Sequence, residues 1–284
     1  MRRLLIIGCG DVARRAIPLL IDRYRVFALV RNPAYCAGLR ALGVMPVMGD
    51  LDDRHSLARL GGIAEVVLHF APPPNAGVSD MRTRHLLAAL SGGVLPQRLL
   101  YISTSGVYGD CAGAWVSETH PTQAKSPRAL RRVDAEQQIR AWAKGNRVRA
   151  CILRVPGIYA HDRLPLDRLR AGTPAVVASQ DSYSNHIHAD DLAHIVIDAL
   201  RYGKANRVYH TTDDDEMKMG DYFDAVADAH HLPRPPRLPR AEVQSLVSPM
   251  LWSFMNESRR LTNRRMKQEL KVRLIYPTVE DALL

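Results

Sequence analysis

The apolar run Arg3-Leu4-Leu5-Ile6-Ile7 stops at Gly8-Cys9-Gly10-Asp11-Val12-Ala13, and a helical pattern from Val12 to Leu20 follows at once. A strand, a glycine turn and a helix in that order give a G-x-G-x-x-A pattern physical meaning. Gly8 permits the tight turn, and Gly10 lets the backbone approach a pyrophosphate. The small Ala13 lets helix pack on strand, and the free N–H groups at the helix start face the anion. The motif therefore predicts a dinucleotide cleft at the end of the first strand, with Gly8, Gly10, Asp11 and Val12 on the cofactor.

The next element decides which dinucleotide. Tyr24 to Val30 reads as a second buried strand ending in Arg31-Asn32-Pro33, with no acid between Tyr24 and Arg40. At this position an acid binds the ribose 2′-hydroxyl of NAD, whereas an arginine pairs with the 2′-phosphate of NADP. Arg31 thus favours NADP, with NAD as the alternative. Further strands are expected over 44–48, 65–70, 97–103, 148–155 and 207–212, and helices over 53–60, 75–90, 126–144 and 190–202. Asp50, after the third strand, is expected to accept from the adenine amino group or to cap the next helix.

Strands alternating with helices at this spacing define an α/β fold, a doubly wound parallel sheet of Rossmann type. After Asp213 the pattern shifts to helices between Pro-rich loops such as Leu232-Pro233-Arg234-Pro235-Pro236. The expected division is a dinucleotide-binding domain over 1–156, rejoined by 187–212, and a smaller, mostly helical substrate-binding part over 157–186 and 213–284.

Composition narrows the class further. A 284-residue chain that is 46% hydrophobic is globular, and its apolar runs are far too short to span a bilayer. Arg2-Arg3 followed by only Leu4 to Ile7 is too short a run for an export signal. Cys9, Cys36, Cys111 and Cys151 form no C-x-x-C pair and no metal spacing, which suits reduced thiols in the cytoplasm. The net charge of +10 comes without a basic block, so it fits an arginine-rich surface or an anionic small-molecule ligand better than nucleic acid.

Five segments in order carry a family resemblance over nearly the whole chain. They are the glycine turn, Gly49-Asp50-Leu51, Tyr101-Ile102-Ser103-Thr104-Ser105-Gly106-Val107-Tyr108-Gly109, Leu153-Arg154-Val155-Pro156-Gly157-Ile158-Tyr159 and Ile187-His188-Ala189-Asp190-Asp191-Leu192. The chain resembles the extended short-chain dehydrogenases/reductases of the NAD-dependent epimerase/dehydratase type. That resemblance implies an oxidoreductase or epimerase acting on a sugar nucleotide or similar polar metabolite, in a protein that often pairs as a homodimer.

The resemblance also assigns residues. It implies cofactor contacts at Asn32, Leu51, Phe70, Ala71, Pro72, Ser103 and Pro156, beside those above. Thr104, with Ser103 beside it, matches the hydroxyl that hydrogen-bonds the reacting substrate oxygen, although small hydroxyls also satisfy turn backbones. Ser105, Tyr108, His161, Arg163 and His188 fall at the substrate, and Tyr159 is the nearest tyrosine with a basic residue four positions on.

One departure is decisive. The family carries Tyr-x-x-x-Lys on the helix after the fifth strand, where the lysine lowers the pKa of a tyrosine that carries the proton. Aligned on Glu136, this chain has Arg128 and Arg132 there, and arginine cannot be deprotonated in a protein. The chain therefore resembles the atypical branch that keeps the fold and cofactor site without that pair. Two readings of Arg128, Arg132 and Arg163 stand: bidentate binding of an anionic substrate, or surface pairing with Glu136 and Asp134. The loss of the pair also admits a non-catalytic, NADP-binding sensor.

Overall fold

The computed structural model describes residues 1–283. Seven strands build the central sheet: β1 (Arg2–Ile7), β2 (Tyr24–Val30), β3 (Met45–Met48), β4 (Val66–His69), β5 (Arg98–Thr104), β6 (Arg149–Val155) and β7 (Arg207–His210). Every neighbouring pair is parallel, in the spatial order β7-β6-β5-β4-β1-β2-β3.

A parallel sheet is covered on both faces, so its strands are apolar throughout instead of alternating. β1 shows how this works. Leu4 and Ile6 face the helices α1 (Asp11–Leu20) and α6 (Ala189–Tyr202), whereas Leu5 and Ile7 face α3 (Met81–Leu90) and α4 (Pro127–Asn146), and all four are fully buried. The shorter helices α2 (Cys36–Ala41), α5 (Leu166–Arg170) and α7 (Met219–Ala229) complete the main set. A separate apolar cluster joins Tyr159, Leu169 and Ala175 to Tyr222, Phe223, Val226 and Val279. Met266, Leu270 and Val272, late in the chain, pack instead into the α1/α6 core.

Two expected helices differ in form. Residues 54–60 wind as a 3-10 helix, and the helix expected from residue 75 begins only at Met81. Pro72-Pro73-Pro74 cannot donate backbone hydrogen bonds, and the Asp80 carboxylate caps the helix by accepting from the Thr83 N–H at 3.1 Å. The cap of the 54–60 turn is likewise Asp53, whose carboxylate accepts from the His55 N–H, and not Asp50, which accepts from the Asp52 N–H.

The strand order reverses between β1 and β4, because the chain runs outward from β1 to β3 and then returns to the other side. That is the switch point at which ligands of such sheets bind. The Phe70 and Ala71 N–H groups both donate to the Ile7 carbonyl, at 2.7 and 2.9 Å, which draws the two strand ends together. Gly8 sits in that contact with φ +91°, and a Cβ there would lie 2.4 Å from the Ala71 nitrogen. We expect Gly8→Ala to destabilise the fold by about 2 kcal/mol or more, through both the clash and the positive φ. Urea unfolding checks this, and an unchanged midpoint would contradict it.

Candidate functional site

The switch point opens into a cleft of about 920 Å³. Of the residues expected on the cofactor, Gly8, Gly10, Asp11, Arg31, Asn32, Asp50, Leu51, Ala71 and Pro72 line it. Val12 and Phe70 pack against the α1/α6 core instead, and neither Ser103 nor Pro156 lines this cavity. Arg14, Tyr35, Asn75 and Arg82 line it too, although no sequence motif marked them. Their signal lay only in position: Arg14 one helical step beyond the glycine turn, Arg82 in the first turn of α3.

Gly10 and Gly8 do different work. Gly10 caps α1 with ordinary extended backbone, and a Cβ built on it meets nothing within 4 Å. Beside the unpaired N–H groups at the start of α1, that open space is a cradle of the kind that accepts a pyrophosphate. Asp11, in the first turn, would repel such an anion. Its two oxygens are held by Arg15 at 3.0 Å and Arg163 at 2.8 Å, and Arg15 also reaches Asp190 at 2.8 Å and Asp162 at 2.6 Å. Arg163, expected at the substrate, thus stands over the glycine turn.

The far end of the cleft is basic. The Arg31 side chain is 70% exposed, and its nearest carboxylate, Asp50, is 3.9 Å away. Arg82 is committed to Asp52 at 2.6 Å, and its hydrogen bond holds the Asp52 carboxyl below the usual range. Asn32 caps the turn at Pro33–Tyr35 by accepting from the Ala34 N–H, which fixes the segment that presents Arg31.

The catalytic candidates are mostly committed elsewhere. Ser103 is buried and its hydroxyl donates to Glu136 at 2.6 Å. Glu136 in turn takes two hydrogen bonds from the buried Arg154, at 3.0 and 2.7 Å. Arg154 also donates to the Tyr108 hydroxyl, which stands 2.6 Å from Nε2 of His210. His210 Nδ1 lies 3.0 Å from the Thr262 carbonyl, so the chain closes with Nδ1–H donating to Thr262 and Nε2 accepting from Tyr108. Burial pushes the Tyr108 hydroxyl up to about 12 and His210 down to about 3, which unfits both for proton transfer near neutrality. Ser105 is buried in the same turn.

Tyr159 is likewise buried. Its hydroxyl donates to the Thr278 carbonyl at 3.2 Å, and burial raises its pKa. His188 caps α6 by accepting from the Asp190 N–H, and His161 is exposed on its turn. Thr104 differs from these. Its oxygen accepts from the Gly106 N–H at 3.2 Å, and its hydroxyl proton has no acceptor among the described residues.

Arg132 donates to the Ile102 carbonyl at 2.8 Å and to the Tyr101 hydroxyl at 2.9 Å, and Arg128 lies over the Phe254 ring at 3.9 Å. Neither pairs with Glu136, which belongs to Arg154, or with Asp134, which accepts from Gln138 and from the Asp80 N–H. The surface-pairing reading of these two arginines is thereby corrected. It failed because Arg154, on the adjacent strand, reaches Glu136 first.

The sequence model of the NAD dependent epimerase/dehydratase family matches residues 5–211, and the chain belongs to that family. A human dTDP-D-glucose 4,6-dehydratase is 22% identical over 241 residues, covering 75% of this chain and 69% of that one. A functionally unknown conserved protein from Silicibacter pomeroyi superimposes with a TM-score of 0.81 at 28% identity, over 100% of this chain and 97% of the other. The UDP-glucuronic acid 4-epimerase from Bacillus cereus, solved in complex with NAD, shares the fold with a TM-score of 0.77 at 17% identity, covering 99% and 96% of the two chains. Among the described residues no helix is long and apolar enough to cross a membrane.

Buried titratable groups give the stability a pH optimum. Burial pushes His69 down to about 3, His186 to about 4 and His210 to about 3, so all three stay neutral in the fold while the unfolded chain takes up protons below about pH 6.5. Stability then falls as the pH drops from 6.5, by on the order of 1 kcal/mol per pH unit for each histidine. Asp213 works in the opposite direction: burial, with Asp215 nearby, pushes it up to about 9, so its contribution is lost as the pH rises from about 4 to 9. Below pH 6.5 the three histidines, joined by the lowered His188, are expected to outweigh Asp213 and the lesser rises that burial gives Asp80, Asp181, Asp191, Asp198 and Asp215, and above it these carboxyls act unopposed by them. We expect the urea midpoint to peak near pH 6.5 and to be lower at both pH 5 and pH 8.5; a midpoint that rises steadily across this range would contradict the assignment.

Proposed function

We propose that the chain binds NADP in the β1/β4 cleft and acts as an oxidoreductase or epimerase on a sugar nucleotide or similar polar metabolite. The observation that carries the reading is the open cradle at Gly10, with the weakly paired Arg31 at the far end of the same cleft. Gly8, Gly10 and the start of α1 would hold the pyrophosphate, Arg31 the 2′-phosphate and Asp50 the adenosine end. A bound nicotinamide dinucleotide supplies hydride exchange at a carbon that carries oxygen.

Around that chemistry the chain's own groups have distinct tasks. Thr104, with an uncommitted hydroxyl proton, would donate a hydrogen bond to the substrate oxygen. Arg132, fixed at the end of β5, would stabilise negative charge on that oxygen without giving up a proton. The tyrosines expected nearby are buried and raised in pKa, which supports a second reading, a non-catalytic NADP-binding sensor.

Turnover separates the two. The first reading expects NADPH consumption with some member of a carbonyl and sugar-nucleotide panel; dinucleotide binding without turnover across the panel would favour the sensor. The cofactor assignment has its own check by calorimetric titration. Arg31→Ala should weaken NADP by about 1.5 to 3 kcal/mol, the worth of hydrogen bonds between charged groups, and leave NAD nearly unchanged. Equal losses for both would remove Arg31 as the discriminator.

A further inference from the structure

The start of α4 breaks a rule of helix electrostatics. The amino end of a helix carries partial positive charge and favours acids. The first turn of α4 contains no acid, and Arg128, Arg131 and Arg132 follow its cap and Pro127 directly. A fourth guanidinium comes from far along the chain. Arg259 donates to the Gly109 carbonyl at 2.7 Å, at the end of the turn that Thr104 begins, and to Glu257 at 2.8 Å. These cations crowd one another: Arg128 has its pKa lowered first by burial and then by Arg132, Arg259 and Arg131, with Glu257 opposing.

The donors of this cluster are not consumed by the fold. Arg128 has no hydrogen bond or ion pair among the described residues and is steadied by stacking on Phe254. Arg132 uses only one terminal nitrogen on Ile102 and Tyr101. The buried Nε groups of Arg131 and Arg259 have no partner. The nearby carboxylate, Glu257, is already paired with Arg259. Mutually repelling cations with unused donors, gathered where the helix itself is positive, are a local conflict of the kind found at functional sites.

We propose that Arg128, Arg132 and Arg259 form a subsite for a carboxylate or phosphate group of the substrate, beside Thr104 at the carboxyl end of β5. The proposal rests on the active-site reading above and names its substrate class: a metabolite with an anionic group next to the carbon that reacts. Arg128 is a binding residue here and not a proton carrier. The position that carries the family's tyrosine has turned from acid–base chemistry to anion recognition, for which planar guanidinium donors are suited.

Calorimetric titration of the full chain with inorganic phosphate and with malonate, with and without saturating NADP, tests this. The proposal expects saturable binding of at least one anion in the presence of NADP. It expects Arg128→Gln and Arg259→Gln each to weaken that binding about tenfold or more, and Arg201→Gln, at the far end of α6, to leave it unchanged. Preference for phosphate or for malonate assigns the source of the charge. No saturable binding, or the same affinity in Arg128→Gln as in the parent, overturns the subsite. If NADP binds and the arginine variants leave phosphate binding unaltered, the subsite falls and the cofactor reading stands. If NADP does not bind while phosphate binding still depends on Arg128, the cofactor reading falls and the subsite stands. Thermal midpoints of the variants exclude unfolding as the cause.

Discussion

The close approach of β1 to the segment after β4 holds the cleft in place. Two N–H groups, from Phe70 and Ala71, converge on the single carbonyl of Ile7, and the next residue must then pass over the Ala71 backbone with no side chain of its own. Gly8 meets that demand through its missing Cβ and its positive φ. Because the contact fixes where β1 ends, it also fixes where α1 begins, and so where the open space beside Gly10 lies. Four buried residues of β1, alternating between two helical layers, anchor the arrangement from below.

The second organising feature is the buried run from Ser103 through Glu136, Arg154 and Tyr108 to His210. It ties the carboxyl ends of β5, β6 and β7 to the middle of α4. A buried ion pair is retained when its geometry is good and its remaining donors are satisfied, as they are here. It also removes Ser103 and Tyr108 from chemistry by giving their hydroxyls structural work. On the function proposed above, binding and catalysis come apart: the open space beside Gly10 would serve the dinucleotide, and the groups left at the reacting end would be a threonine and arginines.

Much of this was legible in the sequence. The continuous apolar run of β1 and the Gly8 to Ala13 turn are local patterns, and they located the strand, the helix and the part of the cleft lining formed by Gly8, Gly10 and Asp11. What escaped depends on partners distant in sequence. Glu136 reads as an acid near Arg132, yet it pairs with Arg154 from the next strand. Arg163 reads as a substrate residue, yet it binds Asp11, 152 positions away. Arg259 lies in a basic run from Ser258 to Lys267 that reads either as contacts over the substrate cleft or as a solvated helix face. Distant partners decide between them: Arg260 and Leu261 pair with Trp115 and Val116, and Ser258 bonds Asp110, Cys111 and Gly113, which brings Arg259 to the turn after Thr104. The late start of α3, by contrast, was readable in principle from Pro72-Pro73-Pro74 and the Asp80 cap, both of which are local chemistry.

The two glycines of the turn offer the most direct test of the central claim, that the space beside Gly10 is kept open for a dinucleotide. In the free protein a Cβ at Gly10 meets nothing within 4 Å, so Gly10→Val should fold with a thermal midpoint close to that of the parent. It should also fill the cradle. Titration with NADPH, followed by its fluorescence, is expected to show saturable binding to the parent chain and none to Gly10→Val. Equal affinity of the two proteins for NADPH would contradict the account.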